Sequence, residues 1–139
     1  MKYKGNHFTT RILYLLFIFT FINCSSQNLR NYYGKEFKAI THQSCEMYED
    51  GTSSDIITTL IIKITDSKNL KITQSHTDRE SNEKIYKWKL KEKEIILENF
   101  VKEEFDFKIY SLKLSNDKII CNGKRFSNEK VMEKIFKTD

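Results

Sequence analysis

The sequence predicts a mainly β domain, an antiparallel meander of six to eight strands, barrel-like or strongly curved, with a short C-terminal amphipathic helix. Three features carry this. Ile56 to Thr65 (IITTLIIKIT) is β-branched almost throughout and sets Leu60, Ile62 and Ile64 on one face. Tyr86-Lys87-Trp88-Lys89-Leu90 alternates apolar and basic residues, the pattern of a half-buried antiparallel strand with lysines outward. Short polar turn signals separate each apolar run from the next, which favours a meander over crossover connections. A flat meander leaves edges exposed, so closure into a barrel or cover by the helix is expected.

The elements follow in order. Phe37 to Tyr48 is a mixed segment that ends at the turn Glu49-Asp50-Gly51-Thr52. The Ile56–Thr65 strand ends at Asp66-Ser67-Lys68-Asn69, after which Leu70 and Ile72 alternate with Lys71 and Thr73. Ser75 to Lys84 is polar throughout and reads as a long hairpin loop or two frayed strand ends. Lys91-Glu92-Lys93 turns the chain after Trp88, Ile95 to Phe100 forms the next strand, and Val101 to Glu104 holds the following turn. Phe105, Phe107 and Ile109 share one parity and Tyr110, Leu112 and Leu114 the other, a phase flip that predicts a β-bulge. Ser115 to Lys118 is a turn, Ile119 to Asn122 a strand, and Asn122-Gly123 its end. Ser127-Asn128-Glu129 then reads as an N-cap with an acidic first turn. Val131, Met132, Ile135 and Phe136 follow on one helical face, a helix of about ten residues that needs the sheet to be stable.

The chain has 139 residues, the length of one domain, and 31% charged, 39% hydrophobic and 13% aromatic residues exclude a disordered chain. With 4 Gly and no Pro it is neither collagen-like nor low-complexity. Residues 1–23 read as a secretory signal peptide. Lys2, Lys4 and Arg11 make a basic start, and the apolar run Ile12 to Ile22 rises about 16 Å as a helix, too short to span a bilayer. That leader holds three of the 24 basic residues and none of the 19 acids, so removing it lowers the net charge from +5 to +2. A balance this small provides no electrostatic footprint for nucleic acid. Phe21-Ile22-Asn23-Cys24-Ser25-Ser26 resembles the lipobox of bacterial lipoproteins, with Phe21 and Asn23 departing from its usual residues. The resemblance implies cleavage before Cys24, a lipid on Cys24, and a membrane-anchored protein of the cell envelope facing the periplasm or cell surface. Residues 24–34 then read as a lipidated tether and 35–139 as the domain.

Two cysteines remain, Cys45 and Cys121. In an exported domain they permit one disulfide, closing a loop of about 75 residues worth about 4 kcal/mol. The alternatives are two free buried thiols, or a metal site in which His42 and His76 join them. Only His42 and Cys45 are close in sequence, which disfavours the metal.

Trp88-x-Leu90, Ile95-Ile96-Leu97, Lys108-Ile109-Tyr110-x-Leu112 and Asp117-Lys118-Ile119-Ile120 resemble the second half of small lipocalin-like domains in bacterial lipoproteins. The N-terminal Gly-x-Trp of lipocalins has no counterpart, since Tyr33-Gly34-Lys35 lacks the Trp. The resemblance implies architecture more than activity.

No hydrolase, phosphate-binding, dinucleotide-binding or redox motif is present, and no cofactor is implied. Glu103, Glu104 and Asp106 lie beside Lys102 and Lys108 and read as a solvated turn, and His76 as a solvated loop residue. Tyr86, Trp88, Phe100, Phe105, Phe107 and Tyr110 are the candidate ligand-binding set: in an open barrel they line a cavity, in a filled one they are core. The expected function is therefore non-enzymatic. It is that of an envelope lipoprotein binding a small hydrophobic ligand or an envelope protein, the alternative being an immunity or inhibitor protein that neutralises a toxin or hydrolase.

Overall fold

The computed structural model describes residues 29–139. The signal peptide and Cys24 lie outside the described residues. Eight strands form one closed antiparallel barrel in chain order. They are β1 Glu36–Met47, β2 Ser53–Ile64, β3 Asn69–His76, β4 Asn82–Lys91, β5 Glu94–Leu97, β6 Lys108–Ser115, β7 Lys118–Lys124 and β8 Met132–Lys137. Single 3₁₀ turns occupy Leu29–Tyr32 and Lys102–Glu104. Among the described residues no helix is long and apolar enough to cross a membrane.

The alternation in the sequence becomes the wall of the barrel. Leu60, Ile62 and Ile64 of β2, Leu70 and Ile72 of β3, and Tyr86 and Trp88 of β4 point inward and are buried. Phe37, Ile95, Phe107, Ile109, Leu112, Leu114, Ile119, Cys121 and Phe136 complete the packing. The chain enters through buried Tyr32, whose ring lies 6.4 Å from that of Phe37, and the Gly34 amide donates to the Ile64 carbonyl. This entry end also carries the β2–β3, β4–β5 and β6–β7 turns. Asp66 builds the first of them: its Oδ1 accepts from the amides of Lys68 and Asn69 at 2.7 and 2.8 Å. The expected bulge is present, as the β6–β7 register shifts between Ile109 and Ser111.

The C-terminal helix is overturned. Met132–Lys137 is a strand, paired with β7 from Lys118↔Lys137 to Gly123↔Met132. A helix of ten residues carries its nucleation cost alone. As a strand the same segment covers the free edge of β7 and closes the barrel onto β1 through Lys38↔Lys137. Of its apolar residues only Phe136 is fully buried, while Ile135 faces outward and Met132, at the strand's first position, is also exposed. Glu129 does not cap a helix: its Oε2 accepts from the Arg125 and Phe126 amides at 3.1 Å and shapes the β7–β8 turn.

Two departures from a regular barrel matter for function. First, β5 is short. It meets β6 only through Glu94↔Lys113 and Ile95↔Leu112. The sequence suggests a strand to Phe100, but Asn99 takes a left-handed backbone (φ 55°) and ends it. The segment Glu98–Phe107 then stands in for a wall strand between β4 and β6. Second, β1 and β2 run on past β3, whose last pair with β2 is Thr58↔His76. The resulting hairpin, paired as far as Met47↔Ser53, projects from the far end. From Thr41 to Ile62 the chain holds Glu46, Glu49, Asp50 and Asp55 and no Lys or Arg.

The Cys45–Cys121 disulfide is also overturned: both are free thiols. Cys121 faces the packed interior from β7, whereas Cys45 is exposed on β1, opposite Asp55 in the projecting hairpin. Burial pushes the Cys121 thiol up to about 12, so it holds almost no thiolate at neutral pH. In a Cys24→Ser protein, a disulfide-exchange reagent is therefore expected to titrate one thiol in the folded state and a second only after denaturation.

Candidate functional site

The candidate aromatic set divides. Tyr86, Trp88, Phe105 and Phe107 are buried and belong to the barrel's core. Phe100 is half-buried. Its ring meets that of Tyr86 edge-on at 5.2 Å and stacks over Phe105 at 6.4 Å. Tyr110 is 42% exposed, a departure from its expected parity with Leu112. The bulge between Ile109 and Ser111 turns it outward.

What these residues share is the Glu98–Phe107 segment. It is anchored into the barrel by the rings of Phe105 and Phe107 and by polar contacts on both flanks. The Glu98 amide donates to the Lys87 carbonyl at 2.9 Å, and Asn82 Nδ2 donates to the Glu104 carbonyl at 2.9 Å. The Tyr86 hydroxyl donates to the Glu104 carboxylate, which Lys84 approaches at 3.8 Å. Burial, then that carboxylate, raises the Tyr86 phenol well above its ordinary range, so it stays a donor. Glu104 and Asp106 therefore hold the segment in place and are not the solvated turn the sequence suggests.

The second flank was not visible in the sequence. Gln74, almost fully buried, accepts the Asp106 amide on Oε1 at 2.8 Å. Its Nε2 must then donate to His76 Nε2, 2.8 Å away, which leaves the His76 proton on Nδ1, 3.1 Å from Thr58 Oγ1. Arg79 pairs with the Asp106 carboxylate over the top. His76 is thus the end of a buried polar chain and not a solvated loop residue.

This chain makes the segment acid-sensitive. Partial burial and the Arg79 cation hold His76 below its ordinary 6.5, with Arg125 acting the same way and Asp106 and Asp78 opposing. A second proton would set an N–H against the Gln74 amide N–H₂ and break the chain. Just below pH 6.5 the unfolded chain binds the proton more readily than the folded one, so stability falls as pH falls. The denaturation midpoint is expected to drop as the pH falls through and below 6.5, and His76→Gln to flatten that drop.

Two cavities flank the segment, both opening on the outer wall. One of about 370 Å³ lies against β4, lined by Lys84, Tyr86, Lys87, Glu98 and Asn99. The other, about 270 Å³, lies in the gap between β5 and β6, with Leu97, Phe100, Ile109 and Leu112 as its apolar lining and Tyr110 and Lys102 at its rim. Of the four residues considered as metal ligands, His42 and Cys45 lie on β1, Cys121 inside the barrel and His76 in the polar chain. Among the described residues no three His, Cys, Asp or Glu side chains gather as ligands. Compared with family models, curated proteins and solved structures, the chain matches none.

Proposed function

We propose that this protein is an exported, non-enzymatic binding module of the cell envelope, held to a membrane by a lipid on Cys24. Its lipocalin-like domain binds a small hydrophobic molecule or an envelope protein. One observation carries the binding reading: large side chains are packed into the barrel's core, while the short β5 leaves the wall between β4 and β6 weakly paired and bordered by two cavities. Binding then belongs to the outer wall and not to a central cup. The lipobox-like Phe21–Ser26 supports the anchor and the compartment.

The immunity or inhibitor reading draws on the projecting β1–β2 hairpin. It carries four acids without a Lys or Arg and two exposed apolar residues, Met47 and Tyr48, at its tip, a shape and charge suited to a basic cleft.

The anchor is tested by Cys24→Ser. Fractionation is expected to move the variant from membranes to the soluble fraction, and intact mass to show a cleaved, acylated wild-type chain. A variant still on membranes, or an unprocessed wild-type mass, overturns the anchor. For the binding reading, the mass spectrum of natively purified protein is expected to show a retained small molecule or a co-purifying envelope protein.

A further inference from the structure

The slot between β5 and β6 has a chemistry of its own. Its floor is apolar and reaches the core: Ile109 and Leu112 are buried, and Leu97 and Phe100 form the sides. The two strands that frame it share only two register pairs, so their facing edges separate along the slot. At its far-end rim, basic residues collect without carboxylate partners. Lys102 Nζ stands 4.5 Å from the centroid of the Tyr110 ring, and Lys124 Nζ stands 5.9 Å from the same centroid. Lys108 lies directly opposite Lys124 in the β6–β7 register. Like charges facing each other across a ladder are destabilising. Among the described residues none of these three lysines forms an ion pair. The carboxylates near them are engaged elsewhere, Glu104 with Tyr86 and Lys84 and Asp106 with Arg79, except for exposed Glu103 on the 3₁₀ turn and Glu94, which lines the slot on the β5 side. A trough with an apolar floor, and with Glu94 and Ser111 also in its lining, thus ends in a cluster of lysines without ion pairs, of which Lys124 donates to the Ser127 carbonyl at 3.0 Å.

We propose that this slot binds a single-chain anionic amphiphile of the fatty-acid class. The acyl chain lies along Leu97, Phe100, Ile109 and Leu112. The carboxylate sits at the rim, where Lys102, Lys108 and Lys124 donate to it and the repulsion between Lys108 and Lys124 is relieved. The site is separate from the barrel interior, which Phe105, Phe107 and their neighbours occupy. The inference rests on the small-hydrophobic-ligand arm of the proposed function and gives that ligand a head group and a place.

The test titrates the mature full-length protein with decanoate, decanol and acetate, and follows side-chain methyl resonances. Decanoate is expected to saturate one site and to shift Leu97, Ile109 and Leu112. Decanol is expected to bind at least about tenfold more weakly and acetate not at all, the difference that charged hydrogen bonds supply. A Lys102→Gln/Lys124→Gln protein should lose about tenfold in decanoate affinity while keeping its decanol affinity and melting temperature. Leu97→Trp, which fills the slot, should abolish both. Shifts centred on the interior residues Leu60, Ile72 and Leu114 would overturn this site while leaving a hydrophobic ligand in place. Equal affinity for decanoate and decanol would overturn the role of the lysines. No response to any chain, with retention on phosphatidylglycerol vesicles, would overturn the site in favour of a membrane-surface contact. No response to either would overturn it together with the small-ligand reading.

Discussion

Replacing Trp88 with alanine is expected to destabilise the domain by about 3–5 kcal/mol, the range for removing a large core aromatic. Trp88 lies on β4, only 6% exposed, and its Nε1–H donates to the Asp66 carbonyl at 3.0 Å. Its own amide donates to the Lys68 carbonyl at 3.0 Å, so the residue ties β4 to the β2–β3 turn by backbone and side chain together. Truncation leaves a cavity, strips the Asp66 carbonyl of its donor, and loosens a turn that is otherwise organised by Asp66. A small domain holds about 5–15 kcal/mol in total, so the loss is a large fraction of that. Urea denaturation followed by far-UV circular dichroism measures it, since the variant lacks the chain's only Trp. Trp88→Phe keeps most of the ring and loses the hydrogen bond, and is expected to cost about 1 kcal/mol for that bond beyond its smaller volume. A Trp88→Ala midpoint equal to the wild type would mean that the ring is not part of the core.

The second large effect concerns a residue with no side chain. Gly123 was read as the end of a strand, yet it lies within β7, opposite Ile109 at the bulge. A Cβ there would stand 2.3 Å from Cε1 of Phe107 and 2.6 Å from the Lys108 carbonyl oxygen. The ring is fully enclosed and the carbonyl is backbone, so neither can yield cheaply. Gly123→Ala is expected to cost about 3 kcal/mol, the upper part of the overpacking range. Because Phe107 seats the Glu98–Phe107 segment, hydrogen exchange should rise at the Asp106 amide before the barrel unfolds. Adding Phe107→Leu removes one of the two clashes, so the double variant should be more stable than the summed single effects require. Strict additivity would mean that the two positions do not touch.

The same residues explain what a reader of the sequence could and could not see. Period-two alternation is local, so β2, β3 and β4 and the turns at Asp66, Glu92 and Asn116 were legible, as was the bulge from the parity change near Ile109. The last strand was not. Val131, Met132, Ile135 and Phe136 fit a helical face, and only the demand of β7 and β1 for a partner, set far away in sequence, selects the extended form. The pair Cys45 and Cys121 looked bridgeable by count and compartment. Count carries no geometry, and the hairpin lifts Cys45 out of the barrel. The aromatic set was found largely by composition, but its division into core and rim depends on Asn99 and the bulge. The Gln74–His76 chain left no signal, because a Gln and a His in a polar run look like any solvated pair until a strand buries one of them.

The closing joint of the barrel sets an order of assembly. β1 and β8, the first and last strands, meet through the single pair Lys38↔Lys137. A chain emerging from a ribosome or a translocation pore N-terminus first therefore cannot complete its ring until β8 is free. Until then β1 and β7 both offer bare edges to any neighbour. The joint made last is held by one register pair and the Lys38–Asp139 ion pair, so it is expected to be among the first places where the ring reopens.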